Sequence, residues 1–350
     1  MATIIIDDID DRQDLSSFSH APLLHRALSL LNEVLLPVYL EVDKAAQRHQ
    51  KDHRRLTFTS ATCGTLAVLF AIIQLVFAES TKGSVMYQCM RFGELLSVIL
   101  AVISVVLGLV VAKQSSWLGE RHKAELLRLL KFKSLIHTTL WSKGLDGIDE
   151  WQQSLQRATG EIQGATRISL ESWAAHDRSS GFPSPLITCS LSIDERKAIA
   201  NYFLHKRLMF QSEYFRKRSA QYQKRDHILR RLVPTCFFAS VLCALLHSLL
   251  DFIFSGQPTA HHTGLWFFLF AASLPVVGWG VRTYRSAHEF ARSASLFHAK
   301  HLNIEDLRHE VERVVEGDAK TVHHLLCKGE DYLEREHREW LWLMMEAEWY

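Results

Sequence analysis

The sequence predicts an all-α integral membrane protein with four transmembrane helices in two hairpins and long amphipathic helices on the cytoplasmic side. Apolar blocks of about 20 residues, the length that crosses a bilayer, occur in two pairs. The charged residues lie almost wholly outside these blocks, although 48% hydrophobic and 22% charged residues with a net charge of +2 match a soluble average. Lys and Arg gather at the same end of each pair. The predicted spans are residues 57–78, 95–112, 232–255 and 265–284.

The N-terminal stretch, residues 1–20, is acidic. Its spacing of carboxylates suggests a calcium loop, but the glycine and the terminal glutamate that such a loop needs are missing. We therefore predict an acidic disordered tail, because segments of high net charge bury too little apolar surface to fold. The aspartates are Asp7, Asp8, Asp10, Asp11 and Asp14.

Residues 21–143 form the first predicted unit, which consists of a helix, a hairpin and a return helix. Residues 25–56 lack glycine and carry apolar side chains at helical spacing, which predicts a helix with a kink at Pro37. The end of this helix is basic and leads directly into the first span. Its apolar face consists of Leu24, Leu28, Leu31, Leu35, Val38 and Val42.

Small or weakly polar residues form a stripe on each span of the first hairpin. They recur in steps of 4 and 3 residues, which places them on one helix face. Small residues let membrane helices approach closely, so the stripes predict helix packing. The alternative is that they face a pore. The stripe residues are Ser60, Gly64, Ala67 and Ala71 in the first span and Ser97, Ala101, Ser104 and Gly108 in the second.

The distribution of basic residues predicts the orientation in the membrane. Residues 79–94 contain two cations, Lys82 and Arg91, and residues 256–264 contain no Lys or Arg. Basic residues flank the other ends of the spans, and such residues favour the cytoplasmic side. We therefore predict a multi-pass protein of the cell inner membrane with both termini in the cytoplasm. A weak match of Ala46-Gln47 and Asp52-His53 with Ala220-Gln221 and Asp226-His227 suggests a repeat, with coincidence between basic helices as the alternative. Because the two halves share one orientation, such a repeat would be a parallel duplication rather than the inverted repeat common in transporters.

A polar region separates the two units. Residues 144–191 contain the run Ser-Ser-Gly-Phe-Pro-Ser-Pro at positions 179–185, and its Gly, Pro and Ser content predicts a linker. The boundary between the halves is predicted there. The second helix-hairpin-helix unit then covers residues 192–350.

The second unit begins with a signal for a helix start. Ser192 and Glu195 have the spacing of a capping box, in which each side chain accepts a hydrogen bond from a backbone amide. No Gly or Pro follows before Leu232, which predicts one long helix that enters the third span. In the fourth span, Pro275 predicts a kink and a carbonyl without a helical partner near Ala271.

One face of the third span carries polar and ionisable residues. Steps of 4, 3, 4 and 4 residues place them together, and His247 and Asp251 can share a hydrogen bond one turn apart. Ionisable groups inside a bilayer usually face a cavity or a partner. This predicts a pore lining in which Asp251 attracts cations and His247 titrates near neutral pH. The alternative is a packed histidine and an interfacial aspartate. The pore-lining candidates are Cys236, Ser240, Cys243, His247 and Asp251.

The remaining patterns do not indicate enzyme chemistry. No P-loop, GxGxxG, GxSxG or HExxH motif is present, so we predict no enzyme, no catalytic residue and no cofactor. Glu334 and His337 have di-iron spacing but lack the further ligands of such a site. His323, His324 and Cys327 lack a fourth ligand, so we predict no metal. We assign the basic stretches beside the spans to anionic lipid rather than to nucleic acid.

The helix before the third span and two later stretches carry the residues of a known family. They are Tyr202, Arg207, Gln211, Tyr214 and Lys217, then His288-Glu289-Phe290 and Glu336-His337-Arg338-Glu339-Trp340. In these residues the chain resembles the SLATT proteins (SMODS- and SLOG-associating two-transmembrane effectors) of bacteria. The resemblance covers residues 192–350, and residues 25–142 only in layout. It implies a pore-forming or membrane-perturbing effector of bacterial conflict systems that a nucleotide signal or a partner triggers.

We therefore expect a homo-oligomeric pore or membrane-disrupting effector in the lipid bilayer, gated through its cytoplasmic helices. No nucleotide-binding domain is fused to it, so we expect any nucleotide sensing to come from a soluble nucleotide-sensing partner or from the cytoplasmic helices. Two alternatives remain: a membrane-anchored scaffold whose helices recruit a soluble partner, and a housekeeping ion channel. The pore hypotheses predict flux across vesicles, whereas the scaffold hypothesis predicts none.

Overall fold

The computed structural model describes residues 8–12, 15–77, 84–110, 113–165, 188–253, 258–287 and 289–346. The regular elements among these residues are all helices, with no strand, as the sequence predicts. They divide into two compact units. The first, the helical domain, comprises the described residues of 1–49, 115–217 and 297–349, and the second, the span unit, comprises those of 50–114 and 218–296.

The helices are numbered in chain order. Short 3₁₀ turns cover Leu15–Phe18 and Gly144–Gly147, and a π-helical turn covers Leu204–Met209. The α-helices are α1 (Pro22–Val76), α2 (Val85–Val110), α3 (Lys113–Leu135), α4 (Thr138–Lys143), α5 (Ile148–Gly164), α6 (Ile193–Phe203), α7 (Phe210–Ile253), α8 (Pro258–Ala287), α9 (Phe290–Val314) and α10 (Ala319–Glu346).

The prediction of a disordered acidic tail is wrong for residues 8–12 and 15–20. Asp8 and Asp11 are fully buried, and Ile9 belongs to the core of the helical domain. Buried cations from other helices neutralise the two carboxylates, and a sequence pattern within the tail does not reveal them. Asp7 and Asp14, which complete the predicted set, lie outside the described residues.

The apolar face predicted for the first helix is confirmed in α1. Leu24, Leu28, Leu31 and Leu35 are at most 2% exposed and pack in the core of the helical domain. Two tryptophans complete this core. The indole of Trp141 donates to the carbonyl of Leu135 at 3.0 Å, and that of Trp151 donates to Ser134 at 2.7 Å. Each buried N–H therefore has a partner, as burial requires.

The predicted linker is in part ordered helix. α5 buries Trp151, Leu155 and Thr159 one turn apart, so residues 148–164 pack on the helical domain instead of forming a spacer. The large aromatic and aliphatic side chains on one face explain this packing. The Ser-Ser-Gly-Phe-Pro-Ser-Pro run itself lies outside the described residues.

Half of the predicted capping box is present at the start of α6. The hydroxyl of Ser192 accepts a hydrogen bond from the amide of Glu195 at 3.2 Å. The Glu195 carboxylate accepts instead from the amides of Leu23, at 2.9 Å, and Leu24, at 3.4 Å. Those amides belong to the first turn of α1, where helical partners are missing. One side chain therefore caps another helix, from 172 positions away in sequence.

The predicted long helices are confirmed. α1 runs without a break from Pro22 to Val76, and α6, the π turn and α7 are continuous from Ile193 to Ile253. The π turn is not predicted by the sequence pattern. It contains Arg207, which is 3% exposed and faces the interior of the helical domain.

The span unit contains helices that contact one another through small and polar residues. The amide of Gln74 in α1 donates to Glu94 in α2 at 2.6 Å. A side-chain carbon added at Gly280 of α8 would lie 2.9 Å from the hydroxyl of Thr65 in α1. The backbones therefore approach closely at Gly280, as small residues in membrane helices permit.

Candidate functional sites

The polar face predicted on the third span packs mainly against α8. Cys236 is buried, and a side-chain carbon added at Gly278 would lie 3.4 Å from its Cβ. The His247 imidazole lies against Gly264, at 3.1 Å from the position of an added Cβ, and its ring centroid is 5.6 Å from that of Phe268. Cys236 and His247 are therefore packed within one chain, but Nδ1 of His247 is buried without a hydrogen-bond partner among the described residues.

Ser240 has a specific partner on α8. Its hydroxyl donates a hydrogen bond to the carbonyl of Ala271 at 2.7 Å. Ala271 lies four residues before Pro275, which has no N–H to close the helical bond to that carbonyl. The carbonyl predicted from the proline is thus satisfied by a serine from the neighbouring helix.

Two members of the predicted pore lining are more accessible. Cys243 is half-buried and Asp251 is exposed at the end of α7. The pore-lining role of this face stays a prediction. Within one chain, the accessible part of the face begins at Cys243 and ends at Asp251.

The predicted small-residue stripes differ between the two spans. In α2, Ser97 and Ser104 are buried, at 7% and 6% exposed, among neighbours that are mostly exposed. In α1, an added side chain at Gly64 would meet nothing within 4 Å, and Ala71 is exposed. Ser60, Ala67 and Ala101 are half-buried, and the surroundings of Gly108 are outside the description. The α2 stripe faces inward, while the α1 stripe leaves Gly64 uncovered.

The helical domain contains a buried ionic cluster that the sequence analysis did not identify. Residues 8–12, here called the acidic segment, insert two carboxylates into it. The residues that receive them, here called the basic pocket, are Arg128 and Lys131 of α3, Tyr202 of α6, Arg207 of the π turn and Gln211 of α7.

Lys131 is the centre of this cluster. Its ammonium lies 2.6 Å from Oδ2 of Asp11, and it donates to the carbonyls of Asp8 at 2.6 Å and Ile9 at 3.0 Å. It also lies 5.3 Å from the ring centroid of Phe132 and 5.5 Å from that of Tyr202, within cation–π range. The ammonium is therefore surrounded by carboxylate, carbonyl and aromatic groups.

Both carboxylates of the acidic segment have further partners. Nε of Arg128 lies 3.0 Å from Oδ1 of Asp8, and the Gln211 amide donates to Oδ2 of Asp8 at 3.2 Å. The Tyr202 hydroxyl donates to Oδ1 of Asp11 at 2.8 Å. Such charge-assisted contacts offset the cost of removing carboxylates from water.

Arg207 joins the acidic segment to α10. Its guanidinium donates to both oxygens of Glu330, at 2.7 and 3.0 Å, and one of its nitrogens lies 3.8 Å from Asp8. The forked geometry is the strongest form of an arginine–carboxylate pair. Burial raises the pKa of Glu330 above its usual value, and the charge of Arg207 opposes the rise.

Burial opposes charge on both sides of the central pair. It raises the pKa of Asp11, against the opposing charge of Lys131, and it lowers the pKa of Lys131, against the opposing charge of Asp11. Each partner's charge therefore opposes the shift that burial imposes on the other. Removing either partner would take the nearest opposite charge away from a buried group.

A second buried pair joins α3 to α10. Nδ1 of His122 lies 2.8 Å from Nε2 of His337, and the two rings stack with centroids 5.0 Å apart. Burial, together with the neighbouring imidazole, lowers the pKa of His122 to about 2, and burial lowers the pKa of His337 to about 4. The pair is therefore neutral at physiological pH.

The residues whose spacing in the sequence resembles that of metal ligands contact other groups in the structure. Glu334 forms ion pairs with Lys133 and Arg338, and His337 faces His122. The imidazole of His323 lies 2.8 Å from the carbonyl of Ile136. Among the described residues, no group of three or more His, Cys, Asp or Glu side chains is arranged to hold a metal ion.

One signal for the basic pocket is visible in the sequence. Lys131 falls on the apolar face of α3, in register with Ala124, Leu127 and Leu135, where a cation needs a buried partner. Three of the residues that carry the SLATT resemblance, Tyr202, Arg207 and Gln211, also line the pocket.

Comparisons of the chain with protein-family models, with curated proteins and with solved structures find no match.

Proposed function

We propose that this protein is an oligomeric membrane effector that forms a pore or disrupts the bilayer, and that its helical domain gates the spans. We place it in the bacterial inner membrane with both termini in the cytoplasm, as part of a defence system that responds to a soluble nucleotide-sensing partner. The spans then supply the membrane activity, and the helical domain supplies the control.

The apolar surface of the span unit supports the membrane part of the proposal. Four helices are long and apolar enough to cross a bilayer, and no more than 17% of the residues in their apolar windows are buried. Large side chains such as Leu95, Val102 and Phe252 are exposed. A surface of this kind is stable in lipid and prone to aggregation in water.

The observation that carries the gating part is that the same helices build both units. α1, α7 and α9 each contribute residues to the helical domain and to the span unit. A change in helix packing within the domain can therefore pass into the spans along the backbone. Interfaces between packed helices tend to switch between discrete arrangements, which suits a gate.

Association between copies would supply the conducting path. Within one chain, Cys236, Ser240 and His247 pack against α8, whereas Cys243, Asp251 and the Gly64 side of α1 remain accessible. An uncovered glycine on a membrane helix suits close contact with a second copy. Asp251 then contributes a ring of carboxylates that favours cations.

Release of dye and ions from liposomes that contain the purified full chain tests this proposal. The wild type is compared at about pH 6 and about pH 8 with Asp251→Asn and with a matched control, Asp306→Asn, which removes an exposed carboxylate of α9. We expect flux whose cation preference falls in Asp251→Asn alone. Equal selectivity in both variants would exclude the Asp251 ring.

A membrane-anchored scaffold is the second candidate function. The helical domain has its own extensive core, built from α1, α3, α5, α6, α9 and α10, so it can present a surface to a soluble partner independently of any pore. Correct insertion without flux in any condition, combined with capture of a soluble protein, would favour this candidate.

A further inference from the structure

The acidic segment is held in the way that a domain holds a bound peptide. It is non-helical. Its side chains and carbonyls contact side chains from four helical elements, which are α3, α6, the π turn and α7. These four elements thus converge on one short stretch of chain.

Lys131 shows that the pocket is incomplete without this occupant. The side chain is 1% exposed, and all three of its polar contacts go to the acidic segment. Arg207 would keep Glu330, and Arg128 would keep Glu125 at 2.7 Å, if the segment left. Lys131 would then lose every one of these polar contacts, and the open pocket would present its cation beside two aromatic rings to an anionic group.

The segment presents its carboxylates selectively. Asp8 and Asp11 point inward and are fully buried. Asp10 is about a third exposed and pairs with Arg12 within the segment itself. The pocket therefore recognises an Asp-x-x-Asp pattern, and among the described residues Asp10 forms no hydrogen bond or ion pair with it, although the charge of Lys131 acts on it at longer range.

We propose that the basic pocket is a docking site for an Asp-x-x-Asp peptide, which the acidic segment of the same chain fills in the isolated protein and the acidic segment of a second copy fills in the oligomer. The acidic segment of a second copy has the same sequence, so it can make every one of these contacts with the basic pocket, and no other surface is needed. Exchange of an identical element between copies is a low-cost route to association. This inference does not depend on the spans forming a pore.

A tethered segment has an advantage over a free one. A short connection gives it an effective concentration of about millimolar, which favours the occupant from the same chain. Cutting the connection removes this advantage without changing the pocket. Exchange of the chain's own segment for an added peptide of the same sequence then becomes measurable.

The first experiment cuts the full chain after it has folded. A protease site is inserted between Arg12 and Leu15, the purified protein is cleaved, and a fluorescent peptide of residues 7–15 is added. We expect the cleaved chain to bind this peptide, and the uncut chain to bind at least about tenfold less, because its own segment competes. An Asp11→Asn peptide should bind at least about tenfold more weakly than the natural one, since it cannot neutralise Lys131.

An Asp10→Asn peptide is the matched control. It loses the same charge but no contact with the basic pocket, so its affinity should stay within about twofold. Equal binding of the Asp10→Asn and Asp11→Asn peptides would overturn the proposal, because the pocket would then respond to charge alone. A cleaved chain that keeps its original segment without exchange, or that unfolds when the segment leaves, would also overturn it, because the segment would then be a permanent part of the core.

The second experiment asks whether a second copy supplies the segment. Lys131→Met disables the pocket but keeps the segment, and Asp11→Asn disables the segment but keeps the pocket. Neither variant alone contains both an intact segment and an intact pocket. In the mixture, the segment of a Lys131→Met copy can bind the pocket of an Asp11→Asn copy. We expect differently tagged copies to be captured together more in this mixture than within either variant alone. Equal capture in all three would contradict exchange.

Discussion

Nζ of Lys131 lies 2.6 Å from Oδ2 of Asp11, and the two side chains are 1% and 0% exposed. The pair joins a segment near the N-terminus to the C-terminal part of α3, 120 positions later in the sequence. A buried pair of this kind contributes little net stability relative to a well-packed apolar pair, but either charge alone is costly. The acidic segment and α3 therefore depend on each other.

Lys131→Met tests this dependence. We expect it to lower the free energy of unfolding of the helical domain by about 3–5 kcal/mol, because Asp11 would remain buried without its cation. The double variant Lys131→Met with Asp11→Leu should recover most of the loss. Lys133→Met, on the same helix, breaks a pair that is about a third exposed on the lysine side and should cost about 1 kcal/mol or less. Chemical unfolding followed by circular dichroism measures all three, and equal losses in the two single variants would contradict the assignment.

The His122–His337 pair makes the helical domain sensitive to acid. Burial depresses both pKa values in the folded state, so protons bind first to the unfolded chain as the pH falls below the ordinary value near 6.5. Stability is thus complete above about pH 6.5 and decreases toward about pH 4, by at most about 1.4 kcal/mol per pH unit for each imidazole. His337→Phe should flatten this dependence, whereas His309→Ala, at an exposed site, should leave it unchanged. A wild type with constant stability between these pH values would contradict the prediction.

Ser240 and Pro275 should interact energetically through a carbonyl that belongs to neither of them. Ser240→Ala removes the donor to the Ala271 carbonyl, which we expect to cost about 1 kcal/mol in the bilayer. Pro275→Ala supplies a backbone N–H in place of the proline ring, so Ser240→Ala should cost much less when it is combined with Pro275→Ala. A double-mutant cycle in micelles measures the coupling. Additive effects would show that the carbonyl has no need of the serine.

Two glycines should respond differently to the same substitution. Gly280→Leu places a side chain where Thr65 already lies, so we expect it to force the backbones apart and to lower the stability of the span unit. Gly64→Leu meets nothing within 4 Å in one chain. We expect it to leave the unfolding of the monomer unchanged and to weaken association between copies, as seen by cross-linking in liposomes. Cross-linking at the wild-type level in Gly64→Leu would exclude this glycine from the contact between copies.

Local periodicity predicted the helices well, because it reports which face of each helix is apolar. The apolar face of α1, the continuity of α6 with α7 and the carbonyl near Ala271 are confirmed in this way. The hairpin arrangement, the orientation and the pore lining stay predictions. They concern the membrane and other copies rather than the packing within one chain.

The ionic cluster shows what periodicity does not reveal. Asp8 and Asp11 have the local pattern of a solvated tail, and only the cations of α3 and the π turn, more than 100 positions away, allow their burial. The Glu195 carboxylate likewise fits a local box by spacing, yet its partners lie at the start of α1. Side chains that pair over such distances leave little trace in a local window, apart from a misplaced charge such as Lys131.

The position of Glu195 has an electrostatic consequence for the two longest helical runs in the chain. Its carboxylate lies at the amino end of α1 and in the first turn of α6, so one negative charge compensates two positive macrodipole ends. Both helices continue from these ends into the candidate spans. An ordinary helix cap affects one helix when it is lost, whereas the loss of this carboxylate would weaken two helix starts together, by about 0.3–1 kcal/mol each.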